Sequence, residues 1–215
     1  MTTSATKQGL VVVTGGSGYI AGYCIAELIH NGWRVRTTVR NLAQAEEVRA
    51  TIRTLGANAD EIESVSADLN SDLGWANAVA GAHYVLHVAS PVPAVAPKDE
   101  DEVIRPTRDG ALRVLAASRD AGVKRVVMTS SIASIAYGKG ERAQPFTEID
   151  WTDEKNRKDT TAYGRSKTIT ERAAWAWQKA EGGQLELVTI NPVIVLGPTL
   201  GSRFSASLEV LRNRS

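Results

Sequence analysis

Six short apolar runs alternate along the chain with stretches of helical spacing, and a glycine-rich turn joins the first run to the first helix. These two observations predict an α/β fold, a doubly wound parallel sheet with helices on both faces. The composition agrees, since 43% hydrophobic and 23% charged residues over 215 positions describe an ordinary soluble globular chain. The expected strand order is 3-2-1-4-5-6.

Each element has its own warrant. Leu10 to Val13 is a short β-branched run ending at the glycine turn. Tyr19 to Asn31 has helical spacing, with Ile20, Cys24, Ile25, Leu28 and Ile29 on one side, and Gly32 stops it. Arg34 to Val39 reads as the second strand, Leu42 to Leu55 as a helix, and Ile62 to Ser66 as the third strand. Tyr84 to Ala89 is the fourth strand, expected to be buried from its Val-Leu-His-Val run. Glu102 to Ala121 is a long helix with a bend expected at Pro106. Arg125 to Thr129 is the fifth strand, Thr161 to Glu181 a helix, and Leu185 to Ile190 the sixth strand. Ala94 and Ala96, set among Pro91, Pro93 and Pro97, mark an irregular loop and not a domain linker. A further helix is expected over Ser205 to Arg212.

The length fits one domain, or one domain and part of another. A formal charge of +1 gives no broad attraction to nucleic acid or anionic lipid. No apolar run approaches the ~20 residues that span a bilayer. Met1 to Gly9 is polar and lacks the apolar stretch of a secretory signal. Cys24, the one cysteine, permits no internal disulfide or cysteine-based zinc cluster. A cytoplasmic setting fits these features, and no metal site is expected.

In Thr14-Gly15-Gly16-Ser17-Gly18-Tyr19-Ile20-Ala21, Gly15 allows a tight turn and Gly18 a close approach of phosphate. The helix that follows offers free N–H groups and partial positive charge to a pyrophosphate. Ala21 stands where a third glycine is common and is small enough for helix–sheet packing. An acidic residue after the second strand would bind ribose hydroxyls; this chain has Arg40 there. A guanidinium can take a 2′-phosphate by bidentate hydrogen bonds, so NADP(H) is the expected cofactor, against the reading of Arg40 as a solvated surface charge. Asp68, after the third strand, either accepts from an adenine amino group or caps a turn.

The second motif is Tyr163-Gly164-Arg165-Ser166-Lys167, preceded by Ser130 and Ser131 at the end of the fifth strand. Spacing of i and i+4 puts Tyr163 and Lys167 on one helix face. A free phenol titrates near pH ~10, and an adjacent ammonium favours its anion. Tyr163 can then exchange a proton with a carbonyl or alcohol oxygen, while Lys167 holds the nicotinamide ribose. A serine hydroxyl from the carboxyl edge of the sheet can fix the reacting oxygen.

With these motifs the chain resembles the extended short-chain dehydrogenase/reductase superfamily, and within it the dihydroflavonol reductase and cinnamoyl-CoA reductase group with its microbial aldehyde and ketone reductase relatives. The narrower likeness rests on Val35-Arg36-Thr37-Thr38-Val39-Arg40, Leu86-His87-Val88-Ala89-Ser90, Glu102-Val103-Ile104-Arg105-Pro106-Thr107, Val127-Met128-Thr129-Ser130-Ser131 and Asn191-Pro192. The resemblance implies NADPH-dependent reduction of an aldehyde or ketone, with Ser131, Tyr163 and Lys167 as the catalytic set. It implies a cofactor lined by Gly15, Ser17, Gly18, Tyr19, Ile20, Arg40, Asp68, Leu69, Val88, Ala89, Ser90, Thr129, Tyr163, Lys167, Pro192 and Val193. His87 is expected to be a buried, hydrogen-bonded strand residue.

Several positions depart from the pattern. Arg113 replaces the usual asparagine of a Gly-x-Leu-Asn-Val-Leu helix, and Ala136 stands where flavonoid reductases carry a substrate-contacting asparagine, so a flavonoid substrate is not supported. Glu47 lies near a position that is basic in some relatives, which leaves Arg40 to act alone. Relatives continue for more than a hundred further residues. The expected division is therefore a dinucleotide-binding domain over residues 1–190 and the start of a truncated substrate-binding region over 191–215, where Arg203, Phe204 and Leu208 line its opening or simply pack. Trp175 and Trp177 point to different sides of their helix, which the resemblance places at a homodimer interface. The rival readings are a sugar-nucleotide epimerase or dehydratase on the same scaffold, and a cofactor-sensing binding protein without chemistry.

Overall fold

β-branched residues fill the middle of the sheet because strands buried on both faces need apolar side chains in both directions. In the computed structural model, which describes residues 8–91 and 99–200, all four residues of strand β1 (Leu10–Val13) are buried. The elements follow in order as α1 (Tyr19–His30), β2 (Arg34–Val39), α2 (Ala45–Thr54), β3 (Glu63–Ser66), α3 (Trp75–Val79), β4 (Tyr84–His87), α4 (Asp101–Asp120), β5 (Arg125–Thr129), α5 (Ala162–Glu181) and β6 (Glu186–Ile190). The sheet order is β3-β2-β1-β4-β5-β6, parallel throughout, as the alternation of runs and helices predicts.

Alternate residues of each strand face opposite sides. Val13, Val35 and Val39 pack with Ile25 and Ala26 of α1 and with Val48 and Ile52 of α2. Leu10, Val12, Val85, Val126 and Met128 pack on the other face with Trp75 and Val79, Val114 and Leu115, and Ala174 from α3, α4 and α5. The register sets Val13 beside both Thr37 and Leu86, and Met128 beside both His87 and Thr189. The strands therefore end along one edge of the sheet, and residues 14, 88–90, 130–131 and 191 collect there.

The structure revises several boundaries. β4 stops at His87 because the amides of Val88 and Ala89 turn to the Thr14 side chain instead of a neighbouring strand. β3 starts at Glu63, since the Ile62 amide closes a turn onto Ala59. Leu42–Gln44 is a 3-10 turn in which the Ala43 amide donates to the Asn41 side chain and the Gln44 amide to the Asn41 carbonyl, and α2 proper begins at Ala45. On α1 the fully buried positions are Ala21, Gly22, Ile25 and Ala26, while Ile20, Cys24, Leu28 and Ile29 are half-buried. α4 runs through Pro106, whose missing N–H costs the helix one bond. Helix α3 and the 3-10 turn Ile132–Ser134 were not anticipated, although Trp75, Ala78 and Val79 have i, i+3, i+4 spacing and are all buried. The expected helix over 205–212, the residues Arg203, Phe204 and Leu208, and the loop positions Pro93, Ala94, Ala96 and Pro97 lie outside the described residues. Among the described residues no helix is long and apolar enough to cross a membrane, and no cluster of His, Cys, Asp and Glu could hold a metal.

Candidate active site

The turn after β1 is held by its glycines in different ways. Gly15 has φ +72°, which L side chains rarely adopt, and a Cβ there would sit 2.9 Å from that of Ala89. Gly16, which sequence reasoning passed over, is the tighter position: a Cβ would lie 2.2 Å from Thr37 Oγ1. Gly18 is the residue before the first turn of α1 and is exposed, and no side chain caps that turn. The first amides of a helix have no partner within it. With no acidic residue in that turn, the end of α1 suits a pyrophosphate. Ser17, Tyr19 and Ile20 are half-buried around this opening.

Thr14 ties the turn to β4. Its Oγ1 accepts from the amides of Val88 at 3.1 Å and Ala89 at 3.0 Å and lies 2.9 Å from His87 Nδ1. With both lone pairs engaged, the hydroxyl proton goes to Nδ1, and the imidazole carries its own proton on Nε2. Burial, and then the charge of Lys167, push the His87 pKa down to about 3, so the ring is neutral. His87 is thus the buried, hydrogen-bonded strand residue expected of it.

Across the edge, Ser130 and Ser131 have different surroundings. The Ser130 hydroxyl donates to the Glu171 carboxylate and lies 3.0 Å from the Ser134 hydroxyl. Ser131 Oγ accepts from the Ala133 amide at 3.1 Å, which leaves its own proton uncommitted. Of the pair, Ser131 is therefore the one able to donate to a bound oxygen. Thr161 caps α5 by accepting from the Gly164 amide, which fixes the start of the helix just before Tyr163. Tyr163 is 43% exposed, whereas Lys167 is 7% exposed, with its Nζ 5.8 Å from the Tyr163 ring centroid. Lys167 donates to Ser90 Oγ at 3.3 Å. Burial lowers its pKa to about 8, and the nearby Glu171 charge opposes the fall. A buried ammonium with one long hydrogen bond has donors left over for a polar ligand such as a ribose.

The remaining candidates lie along the same edge or beyond it. Val88, Ala89 and Ser90 are half-buried between the glycine turn and Lys167. Thr129 ends β5 opposite Ile190; the Pro192 carbonyl accepts from the Ile132 amide, and Val193 is exposed. Arg40 is exposed just past β2 and makes no ion pair among the described residues. Asp68 Oδ1 accepts from the Asn70 amide, so the turn uses at least one of its oxygens. Leu69 packs against the core, and its carbonyl accepts from Arg113. Glu171, one turn beyond Lys167, joins the site beyond the residues expected, and Asn191, which begins the stretch that the resemblance sets near the nicotinamide, donates from Nδ2 to the Ser131 carbonyl and to Glu171. The i+4 spacing of Glu171 from Lys167 was a signal available in the sequence.

A sequence model of the NAD dependent epimerase/dehydratase family matches residues 11–211. A dihydroflavonol 4-reductase from Zea mays is 34% identical over 210 residues, covering 95% of this chain and 57% of its own length. A cinnamoyl-CoA reductase from Medicago truncatula is 34% identical over 215 residues, covering 98% of this chain and 65% of its own. A yeast methylglyoxal/isovaleraldehyde reductase complexed with NADPH superposes with a TM-score of 0.82 at 25% identity, over 95% of this chain and 65% of that one. The chain thus spans 57% and 65% of the length of these two curated relatives.

Proposed function

The chain belongs to the NAD dependent epimerase/dehydratase family, and from that premise we propose that residues 1–190 are the dinucleotide-binding domain of an NADPH-dependent reductase of aldehydes or ketones. Residues from 191 onward open its substrate-binding region. The observation that carries this reading is Lys167, a buried ammonium short of partners, on one helix face with the exposed phenol of Tyr163 and at the strand edge that holds Ser131.

The first turn of α1 and the turn through Gly15 and Gly18 hold the pyrophosphate, and Arg40 takes the 2′-phosphate. Lys167 holds the nicotinamide ribose, and Val88, Ala89 and Ser90 border it. A reduced nicotinamide bound there supplies a hydride to the carbonyl carbon. Ser131 donates a hydrogen bond to the carbonyl oxygen and fixes its position. Tyr163 gives that oxygen a proton as it becomes an alcohol, and the positive charge of Lys167 favours the phenolate left behind. Thr14 and neutral His87 take no part in proton transfer; they keep the Val88–Ser90 segment in place.

The test is a fluorescence titration with NADPH and NADH side by side, repeated on Arg40→Ala. We expect NADPH to bind more tightly by tenfold or more, and Arg40→Ala to remove most of that difference. Equal affinity for both cofactors refutes the NADPH assignment. In a carbonyl-reduction assay, Tyr163→Phe should lower turnover at least a hundredfold while NADPH binding stays within about twofold. Full turnover by that variant would sink the assignment of Tyr163. Net consumption of NADPH separates this reading from a cofactor-retaining epimerase.

A further inference from the structure

The buried positions of α5 carry two ionisable groups that the reaction does not use: Arg165, which pairs with Glu100, and Glu171. Glu171 is one helical turn beyond Lys167 and two beyond Tyr163, and it is 5% exposed. Its hydrogen-bond partners are neutral: the Ser130 hydroxyl, and the Asn191 side-chain amide at 2.9 Å. A carboxylate taken out of water with only neutral partners is costly to keep. The surroundings hold it firmly nonetheless. The Ser130 amide donates to the Ile190 carbonyl at 2.8 Å, and the Ile132 amide to the Pro192 carbonyl at 2.9 Å. Asn191 spans from Glu171 to the Ser131 carbonyl. Three segments, the end of β5, α5 and the end of β6, thus converge on one carboxylate.

The electrostatic setting of Lys167 says what such a group could do. From β4 and the residues after it, Lys167 faces neutral His87 and the Ser90 hydroxyl. On its own helix the Tyr163 ring lies one turn before it and the buried Glu171 one turn after it, on the same face. The buried residues of α4, which packs along α5, are Val103, Thr107, Gly110, Ala111, Val114, Leu115 and Ser118, none of them titratable. Ser130 and Ser134 from β5 and the turn after it, and Asn191 after β6, bring hydroxyls and an amide. Burial drives Lys167 towards its neutral form, and Glu171 is the charge that opposes this.

We infer that Glu171 is a positioning residue whose buried carboxylate, held by Ser130 and Asn191, keeps Lys167 an ammonium ion in the folded protein. The consequence for turnover rests on the reading of Tyr163 and Lys167 given above; the coupling of the two charges does not.

The experiment is an NMR titration of the chain carrying 13C-labelled lysine, with the Lys167 side-chain signal assigned through Lys167→Arg. It needs neither cofactor nor substrate, so it can fail independently of the NADPH titration. The wild-type midpoint is expected near pH 8. Charges one helical turn apart in a protein interior couple by about tenfold or more, so Glu171→Gln should lower the midpoint by about one pH unit. Ser130→Ala keeps the charge and should move the midpoint by less than about a third of that. An unmoved midpoint in Glu171→Gln overturns the inference, as does a Ser130→Ala shift equal to that of Glu171→Gln. Should Glu171→Gln fail to fold, the wild-type chain with 13C-labelled glutamate decides: the Glu171 carboxyl signal must show an inflection at the Lys167 midpoint, and its absence overturns the inference.

Discussion

Substitution of Gly16 by alanine tests the packing of the glycine turn without reference to any ligand. The new Cβ would lie 2.2 Å from Thr37 Oγ1 and 2.8 Å from its Cγ2. Ordinary contacts begin near ~3.4 Å, so Thr37 must yield by about 1 Å. Thr37 is fully buried in β2, and its hydroxyl donates to the Val13 carbonyl at 2.7 Å. Turning the side chain away forfeits that bond, worth about 1 kcal/mol. Overpacking of a filled core adds about 1–3 kcal/mol. Gly16→Ala should therefore destabilise the chain by about 3 kcal/mol, a fall in Tm of roughly 6–12 °C for a domain of this size. Gly16 is not among the glycines with positive φ, so backbone strain adds nothing to this figure. The assay is a double-mutant cycle by urea unfolding with Thr37→Ala, which removes the two closest atoms and leaves only the Thr37 Cβ, at 3.1 Å. Gly16→Ala/Thr37→Ala should be about as stable as Thr37→Ala alone, a coupling of about 2 kcal/mol or more. Additivity within about 0.5 kcal/mol would refute the clash as the cause.

Two further predictions concern buried ionisable groups. The Lys167 pKa is about 8 in the folded chain against 10.5 for a free side chain, so between these values the unfolded chain holds more protons and folding stability rises with pH. Lys167→Met should stabilise the ligand-free chain at pH 7 by up to about 3 kcal/mol, and that advantage should shrink from pH 8 to 10; a constant advantage across this range would contradict the argument. The His87 pKa of about 3, against 6.5 when free, likewise makes the unfolded chain the better proton binder as pH falls below 6.5. Between pH 7 and 5 the wild type should lose about 2 kcal/mol that His87→Gln does not lose, and nitrogen NMR at pH 5 should show a neutral ring protonated on Nε2.

The sheet was legible because its signals are local. β1, β2 and β5 carry β-branched runs whose limits matched the structure residue for residue, and the glycine turn fixed where the first helix starts. What escaped depends on partners distant in sequence. Nothing local tells that Val88 and Ala89 leave β4 to bond Thr14, more than seventy residues earlier. The difference between Ser130 and Ser131 is set by Glu171, forty-one residues on from Ser130, and is invisible in a Thr-Ser-Ser string. Gly16 was overlooked because its reason is the Thr37 side chain on another strand, not its own backbone. The spacing of Tyr163, Lys167 and Glu171, by contrast, is local, and the third member could have been read with the first two.

The convergence of β5, α5 and the end of β6 on Glu171 also orders events in time. Asn191 follows the last strand of the sheet, yet its amide secures the Ser131 carbonyl sixty residues upstream. Contacts so far apart along the chain close late, because loop-closure entropy must be met before they contribute. On a ribosome, residues 10–130 can pair β1 to β5 well before Asn191 emerges. The surroundings of Ser131 are completed only when β6 adds to the edge of that sheet, so a nascent chain acquires the body of the sheet first and the hydrogen bonds around Ser131 last.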